Sequence, residues 1–273
     1  MVVDVDEAQV RRLEAGAAAA EQATVGELRR LDGACSARAV RFGDGALIAM
    51  GASRYVNRAV GVSVTGLDSA DVDQIELFFA QHGASAAIEL SAWAPAETVS
   101  LLRARGYGPD WFRSMYARPL DGSLALSDDN VRIEPVDERT RAAWLDVLAG
   151  GNEIVDPVRR ATSDEFAMAN SSVPNSVHLV AWVGDQPVGC ASIQMVDGVA
   201  WLGGTATLPA WRGRGIQSAL VRHRLRLAVE LGAALAAATA VPAGTSARNL
   251  HRADFVHVQT QVVVSAPGFS HPS

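Results

Sequence analysis

Apolar positions recur along the chain with two different periods, and each period predicts a type of element. At 4–31 the apolar residues lie three or four positions apart, which predicts one or two helices. Short apolar runs between glycine-rich or polar turns predict strands. In the first half, the predicted strands are 37–42, 46–50, 59–64, 86–90 and 111–118, and the later helices are 68–83 and 94–106.

The stretch PLDGSLALSDDN at 119–130 has the composition of a linker, and the order of elements begins again after it. The predicted strands of the second half are 131–134, 177–183, 188–195, 199–208, 234–238 and 256–264. The predicted helices are 136–150, 156–170, 214–231 and 246–253.

The two halves resemble each other in the order of their elements. Each runs from a meander of strands through a helix, a strand and a short helix to a final strand. LLRARGYGPDWFRSMYARPL ends the first half where LHRADFVHVQTQVVV ends the second, which predicts an internal duplication. The ranges that we predict are a first domain 1–120, a linker 121–129, a second domain 130–266 and a tail 267–273.

Composition narrows the class of protein. The net charge of -6 argues against nucleic acid as a partner. All 24 basic side chains are arginine, which is typical of a GC-rich bacterial genome. Cys35 and Cys190 lack metal-binding spacing, so no metal is predicted. The acidic amphipathic start is not a signal peptide, and no apolar run reaches the ~18 residues of a membrane span. We therefore expect a cytoplasmic protein without a membrane partner.

The junction TATLPAWRGRGIQSALV, at 205–221, carries the clearest chemistry. It predicts a strand that turns into a helix, and the first amides of a helix attract anions because they lack intrahelical partners. Gly213 and Gly215 would let a phosphate approach the backbone closely. Arg212 and Arg214 can add charge-assisted hydrogen bonds. The alternative is a solvated turn that happens to contain arginines.

This junction resembles the acetyl-CoA signature of the GNAT acetyltransferase superfamily, in which a strand is followed by Arg/Gln-x-x-Gly-x-Gly/Ala and a long helix. Arg212, Gly215 and Gln217 fill that frame. SARNLHRADF stands where the last short helix of the superfamily ends, and the resemblance covers 130–266. Residues 1–120 resemble a degenerate copy that keeps LLRARGY but has no Arg-x-x-Gly-x-Gly.

The resemblance implies two tandem GNAT-like domains of the α/β (α+β) class, each a central mixed sheet flanked by helices. It implies acetyl-CoA as co-substrate, held by residues at the end of one strand, at the junction and on the last helix. These residues are Thr205, Ala206, Thr207, Arg212, Gly213, Arg214, Gly215, Ile216, Gln217 and Asn249. The N-terminal half, lacking the junction, is expected to bind no cofactor.

The sequence departs from the superfamily at the groups that move protons. Leu250 stands where a tyrosine usually protonates the leaving thiolate. Ser246 is our candidate for that role, with His251 or water as alternatives and a helix cap as its other interpretation. Glu153 is our candidate base, and Asp156, a predicted helix cap, and His178 are alternatives.

These patterns together predict an acyl-CoA-dependent N-acyltransferase. We expect it to transfer acetyl from acetyl-CoA to a primary amine of a small molecule by direct attack. The competing interpretation is a non-catalytic acyl-CoA-binding sensor or scaffold, which the missing tyrosine favours. A homodimer is a further possibility that the sequence leaves open.

Overall fold

The computed structural model describes residues 5–51, 56–120 and 131–267, and its elements follow the predicted order. The helices are α1 (Glu7–Leu31), α2 (Ser69–Gln81), α3 (Ala96–Ala104), α4 (Arg141–Gly151), α5 (Pro157–Ser172), α6 (Ile216–Glu230) and α7 (Thr245–Arg252). The strands of the first half are β1 (Arg38–Phe42), β2 (Gly45–Ala49), β3 (Arg58–Val60), β4 (Ala87–Leu90) and β5 (Gly108–Pro119). Those of the second half are β6 (Arg132–Pro135), β7 (Ser176–Val183), β8 (Gln186–Val196), β9 (Val199–Thr207), β10 (Leu235–Ala240) and β11 (Val256–Ser265).

Local chemistry explains where three elements begin or end differently from the prediction. Helix α1 begins at Glu7 because the Asp6 carboxylate accepts a hydrogen bond from the Gln9 amide and caps the helix. Strand β3 stops at Val60 because Gly61 has φ +70°, which is outside the strand region. Helix α6 begins two residues later than predicted because Gly215 takes the left-handed conformation, with φ +80°.

The chain forms two compact units. Of the described residues, the N-terminal unit contains 5–51, 56–115, the short segment 240–242 and 257–267. The C-terminal unit contains 116–120, 131–239 and 243–256. Residues 257–265 of β11 therefore belong to the N-terminal unit, whereas the predicted second domain ran through to 266. The predicted linker 121–129 and the predicted tail from residue 268 lie outside the described residues.

The N-terminal unit has a mixed sheet in the order β1-β2-β3-β4-β11-β5. Strands β1, β2 and β3 pair antiparallel, and β3 pairs parallel with β4. Strand β11 completes the sheet because Val262–Ser265 pair antiparallel with Ala87–Leu90. The core lies between this sheet and helix α2, which contributes Ile75 and Phe79.

The C-terminal unit repeats that plan with strands β6-β7-β8-β9-β10. Strands β6 to β9 pair antiparallel, and β9 pairs parallel with β10. Helix α6 covers one face through Ile216 and Leu220. In a second hydrophobic cluster, Trp144 of α4 packs against Cys190 and Ala206. The connections β3–α2–β4 and β9–α6–β10 thus occupy the same place in the two units.

Candidate functional site

Strands β9 and β10 separate towards their carboxyl ends. Their parallel pairing runs from Val199 opposite Leu235 to Leu202 opposite Ala238 and goes no further in the described chain. Strand β9 nevertheless continues to Thr207 and β10 to Ala240. The last five residues of β9 therefore have backbone groups on that side that are open to a ligand.

A β-bulge lies at the start of this separation. The pairing of β8 with β9 shifts between Cys190 and Ser192, which leaves one extra residue on β9. Gly204 takes φ +53°, and a Cβ on it would lie 2.7 Å from the Ser192 hydroxyl oxygen. Gly203 and Gly204 are exposed although they lie in the middle of a strand. The bulge thus presents bare backbone where β9 leaves β10.

The turn between β9 and α6 is open at its surface. It contains a 3-10 turn at Pro209–Trp211, and then Gly213 and Gly215 at φ +76° and +80°. A Cβ on either glycine would meet nothing within 4 Å. The positive φ angles, and not crowding, explain the two glycines. In a turn that contains residues with positive φ, neighbouring backbone amides can point to a common centre and form a concave anion-binding site.

The amino end of α6 has no internal partner for its amides. No side chain caps the helix, whose cap residue is Gly215. Within the described chain, the amides of 213–218 donate to no backbone carbonyl outside the helix. Arg214 lies over the Trp211 ring, with its guanidinium carbon 4.8 Å from the ring centre. An anion at this turn would therefore meet free amides, the helix dipole and guanidinium groups.

Arg212 joins the turn to the end of α4. Its Nη2 donates to the Gly151 carbonyl at 2.8 Å, and its Nη1 lies 2.7 Å from the Glu153 carboxylate. Helix α4 comes this close because Gly151 has no side chain: a Cβ there would lie 2.9 Å from the Thr207 amide nitrogen. The structure thus sets the predicted base Glu153 against a predicted cofactor residue.

A cavity of about 160 Å³ lies at the separation of the two strands. Of the predicted site residues, Thr205, Gln217, Ser246 and Asn249 line it together. Ala206 faces the α4 cluster instead, and Glu153 does not line the cavity. The remaining lining residues are Leu202, Gly203, Gly204, Val221, Arg224, Ala238, Thr239 and Leu250.

Two predicted helix caps have different outcomes. Asp156 caps α5 by accepting a hydrogen bond from the Arg159 amide at 2.8 Å, which confirms that interpretation. Ser246 does not cap α7, because the cap residue is Gly244 and no side-chain capping bond is made. The Ser246 hydroxyl is therefore not committed to the helix end, and it lies at the cavity. His251 is exposed, and its ring packs edge-on against Tyr116.

His178 lies on the face of the sheet that α4 covers. Its ring packs on Trp144 with 5.0 Å between the ring centres, and it is 7% exposed. Burial lowers the pKa of His178 to about 4, so its ring is neutral at pH 7. Cys190 on the same face is also uncharged, because burial raises its thiol pKa to about 12. This face offers neutral groups rather than a carboxylate.

A second cavity of about 210 Å³ lies beside the first and shares Val221 and Asn249 with it. Three arginines, Arg118, Arg222 and Arg252, line it. The Arg118 guanidinium donates to the Ala253 carbonyl at 2.7 Å. Asp254 also lines this cavity, and its carboxylate lies 3.9 Å from the Arg118 guanidinium, so the lining carries charges of both signs.

Sequence reasoning missed Arg224, which lines the smaller cavity and is 2% exposed. Its Nη1 donates to the Gly203 carbonyl at 3.3 Å and to the Thr205 hydroxyl at 3.1 Å. A signal was present, because Ile216, Leu220 and Arg224 lie four positions apart on the buried stripe of α6. A charged residue on such a stripe is rarely found without a partner or a role.

Two absences apply to the described chain. None of its helices is long and apolar enough to cross a membrane. No group of three His, Cys, Asp or Glu side chains in it could hold a metal ion.

Comparisons with known proteins agree with this geometry. Residues 143–255 match the sequence model of the acetyltransferase (GNAT) family, while no curated protein sequence matches the chain. A GCN5-related N-acetyltransferase from Kribbella flavida is similar in structure, with a TM-score of 0.66 and 19% identity over 94% of this chain and 96% of that chain.

Two further solved structures are similar. A tandem GNAT protein from the clavulanic acid biosynthesis pathway gives a TM-score of 0.58 at 13% identity, over 96% of this chain and 95% of that one. A functionally unknown conserved protein from Staphylococcus epidermidis gives 0.57 at 16% identity, over 72% and 80%. These identities show the fold alone. The fold class is as predicted: two tandem GNAT-like domains, each with a mixed sheet and flanking helices.

Proposed function

We propose that this chain, in which residues 143–255 are an acetyltransferase domain of the GNAT family, transfers acetyl from acetyl-CoA to a primary amine of a small molecule. The observation that carries the proposal is the uncapped, glycine-lined amino end of α6 beside the unpaired end of β9. An anion and an extended, amide-bearing chain can both bind there, and acetyl-CoA contains a pyrophosphate and such a chain.

The residues fit this ligand in two parts. The amides of Gly213 to Gln217, with Arg212 and Arg214, hold the pyrophosphate. Thr205 to Thr207 offer backbone groups to the amides of the pantetheine arm, and Asn249 contacts the arm from α7. The buried Thr207 hydroxyl, which has no partner among the described residues, supports a polar ligand at this strand.

The reaction is a direct transfer. The nitrogen of the neutral amine attacks the thioester carbonyl, a C–N bond forms, and the C–S bond breaks as the CoA thiolate leaves. The bare backbone at Gly203 and Gly204 supplies amides that polarise the carbonyl oxygen. The amine loses one proton to a base, and the thiolate gains one from an acid or from water.

Ser246 is the candidate acid because its hydroxyl lies at the cavity, whereas Leu250 beside it has no proton to give. We expect Ser246→Ala to lower kcat about 100-fold, at the low end of the range for general acids, with little change in the KM for acetyl-CoA. An unchanged kcat would assign protonation to water.

Glu153 is the candidate base, and its ion pair with Arg212 gives it a second possible role. If Glu153 accepts the amine proton, Glu153→Gln lowers kcat and leaves the KM for acetyl-CoA nearly unchanged. If it only holds Arg212, the variant raises the KM for acetyl-CoA and leaves kcat nearly unchanged. A change in KM alone would show that Glu153 is not the base.

Acetyl-CoA binding tests the proposal first. Saturating acetyl-CoA should raise the melting temperature of the wild type, because it binds only the folded chain. Gly215→Glu should abolish the shift by placing a carboxylate among the free amides. Gly184→Glu is the matched control, since Gly184 also has a positive φ of +58° and open space around it but lies in the β7–β8 turn. No shift in the wild type would contradict the proposal.

The second candidate function is a non-catalytic acyl-CoA sensor, favoured by Leu250 at the position of the usual acid. The two candidates differ in turnover. Release of free CoA thiol should occur with some member of a panel of small primary amines. Binding of acetyl-CoA without release on any amine would favour the sensor. Cytoplasmic location and a homodimer stay predictions.

A further inference from the structure

Arg224 is a buried cation without a carboxylate partner. Its four hydrogen bonds go to the carbonyls of Leu220, Ser192 and Gly203 and to the Thr205 hydroxyl, at 3.1 to 3.3 Å. Within residues 5–51, 56–120 and 131–267, no carboxylate lies in salt-bridge distance and no hydrogen bond is made by its Nη2. Burial lowers its pKa to about 10, so it is still charged at pH 7.

A second buried arginine among the described residues, Arg58, shows the usual arrangement. Arg58 in the N-terminal unit is 3% exposed, and its Nε lies 2.9 Å from the Glu89 carboxylate. Glu21 provides a second carboxylate for the same guanidinium. Burying a charge costs free energy that a counter-ion offsets. Arg224 lacks such a counter-ion among the residues that the structure describes, although it lines a cavity.

The cavity lies on the side of the unit where the proposed function places the co-substrate. Its lining comes from α6, α7, β9 and β10, and none of it comes from α4 or α5. Arg224 is seven residues beyond Gln217, or about 10 Å along the helix at 1.5 Å per residue, so it is not part of the pyrophosphate site. It lies instead at Gly203 and Thr205, where the bulge opens.

We propose that Arg224 binds the terminal carboxylate of a short dicarboxylic acyl group, so that the proposed acyltransferase accepts, beside acetyl-CoA, an acyl-CoA of the succinyl or malonyl class. The inference rests on the proposed function, because the acyl-CoA must occupy the separation of β9 and β10. A carboxylate supplies the counter-ion that Arg224 lacks, and Nη2, which makes no hydrogen bond among the described residues, can donate to it.

The transfer chemistry is the same with this donor. The amine nitrogen forms a bond to the thioester carbonyl carbon, the C–S bond breaks, and the thiolate takes up a proton. The distal carboxylate stays ionised and bound to Arg224 and does not react. The product is an amide that carries a new carboxylate.

Isothermal titration with CoA, butyryl-CoA and succinyl-CoA tests the proposal. We expect the wild type to bind succinyl-CoA at least tenfold more tightly than butyryl-CoA, which has the same four-carbon chain without the charge. Arg224→Met should remove that preference and leave the affinity for CoA within a few-fold. Arg226→Met, on the same helix but not at the cavity, is the control and should keep the preference.

Each outcome decides the proposal. Equal affinities in the wild type, or a preference that persists in Arg224→Met, would overturn it and leave Arg224 as a support for the bulge. If Arg224→Met does not fold, Arg224→Gln removes the charge but keeps hydrogen-bond donors, and a preference as large as in the wild type would overturn the proposal. Failure of every CoA species to bind would instead reject the proposed function itself.

Discussion

In both units a helix follows a strand of the sheet at the same place in the fold: α2 follows β3, and α6 follows β9. The amino ends of these two helices are capped differently. In the N-terminal unit, the amino end of α2 is closed by its own carboxylates: Asp68 accepts from the Asp71 amide, and Asp71 accepts from the Asp68 amide. In the C-terminal unit, α6 has a glycine cap and no side-chain partner. The amides at the amino end of α2 are hydrogen-bonded by its own side chains, whereas those at the amino end of α6 are free to bind a ligand.

The buried charges repeat this difference. Arg58 lies among carboxylates of its own unit, whereas Arg224 does not. The N-terminal unit therefore supplies its own counter-ions, both for its helix and for its buried arginine. Four predictions test this comparison.

The largest effect is expected at Arg58. Arg58→Met leaves the buried Glu89 carboxylate without one of its two guanidinium partners, Arg113 being the other. Breaking a buried pair on one side costs about 3–5 kcal/mol of unfolding free energy. Chemical denaturation measures the loss. Arg11→Met is the control, because its ion pair with Asp44 is exposed and contributes little. Similar losses in both variants would contradict the assignment of Arg58.

Glu14 makes the N-terminal unit sensitive to pH. Burial, with the nearby Glu89 charge, raises the pKa of Glu14 to about 7, and its Oε2 has no partner in the described chain. The folded chain therefore holds a proton that the unfolded chain releases above about pH 4.5. Its contribution to stability is complete below that pH and is lost as the pH rises through 7.

We expect Glu14→Gln to remove this dependence. The difference in unfolding free energy between the variant and the wild type should grow by about 3 kcal/mol, in favour of the variant, between pH 4.5 and pH 8. Denaturation at several pH values measures it. The glutamine can still accept from Gln259 and Gln261, which now bond to Glu14. A constant difference would show that Glu14 is ionised throughout.

The closed helix end gives a smaller effect. Asp68→Ala removes the cap of α2 and should cost about 1 kcal/mol of unfolding free energy. The affinity for acetyl-CoA should not change, because the proposed site lies in the C-terminal unit. A loss of affinity would show that the N-terminal junction contributes to the ligand site.

The smallest effect is expected at Gln217. It is half-buried in the first turn of α6 and lines the cavity, but the backbone amides there do not depend on its side chain. Isothermal titration with acetyl-CoA should give an affinity of Gln217→Ala within a few-fold of the wild-type affinity. Complete loss would make the glutamine amide part of the site.

The sequence predicted local structure better than long-range structure. Periodicity and turn residues located the helices and strands, because both depend on neighbouring residues. The turn at Arg212, Gly213 and Gly215 could be predicted because their spacing determines the local geometry, whereas the anion site there stays a prediction. The placement of β11 depends on pairing Val262–Ser265 with Ala87–Leu90, and no local pattern encodes a partner so distant in sequence.

The candidate site shows the same limit. Thr205, Gln217, Ser246 and Asn249 meet at one cavity as the family resemblance implied. The ion pair between Glu153 and Arg212 could not be predicted, because it depends on Gly151 letting α4 approach β9. Arg224 was missed because an amphipathic helix is identified by the spacing of its apolar residues. A single charged residue among them does not change that prediction and is easily overlooked.

The membership of β11 has a consequence for how the chain is made. During synthesis the N-terminal unit emerges from the ribosome first, yet its sheet lacks a central strand until Val256–Ser265 has been translated. Glu14 depends on the same segment, since Gln259 and Gln261 donate to its carboxylate. Domains usually fold as they emerge. Here the first unit to be made is the last that can be completed, and a ribosome that stops before β11 leaves an unfinished sheet.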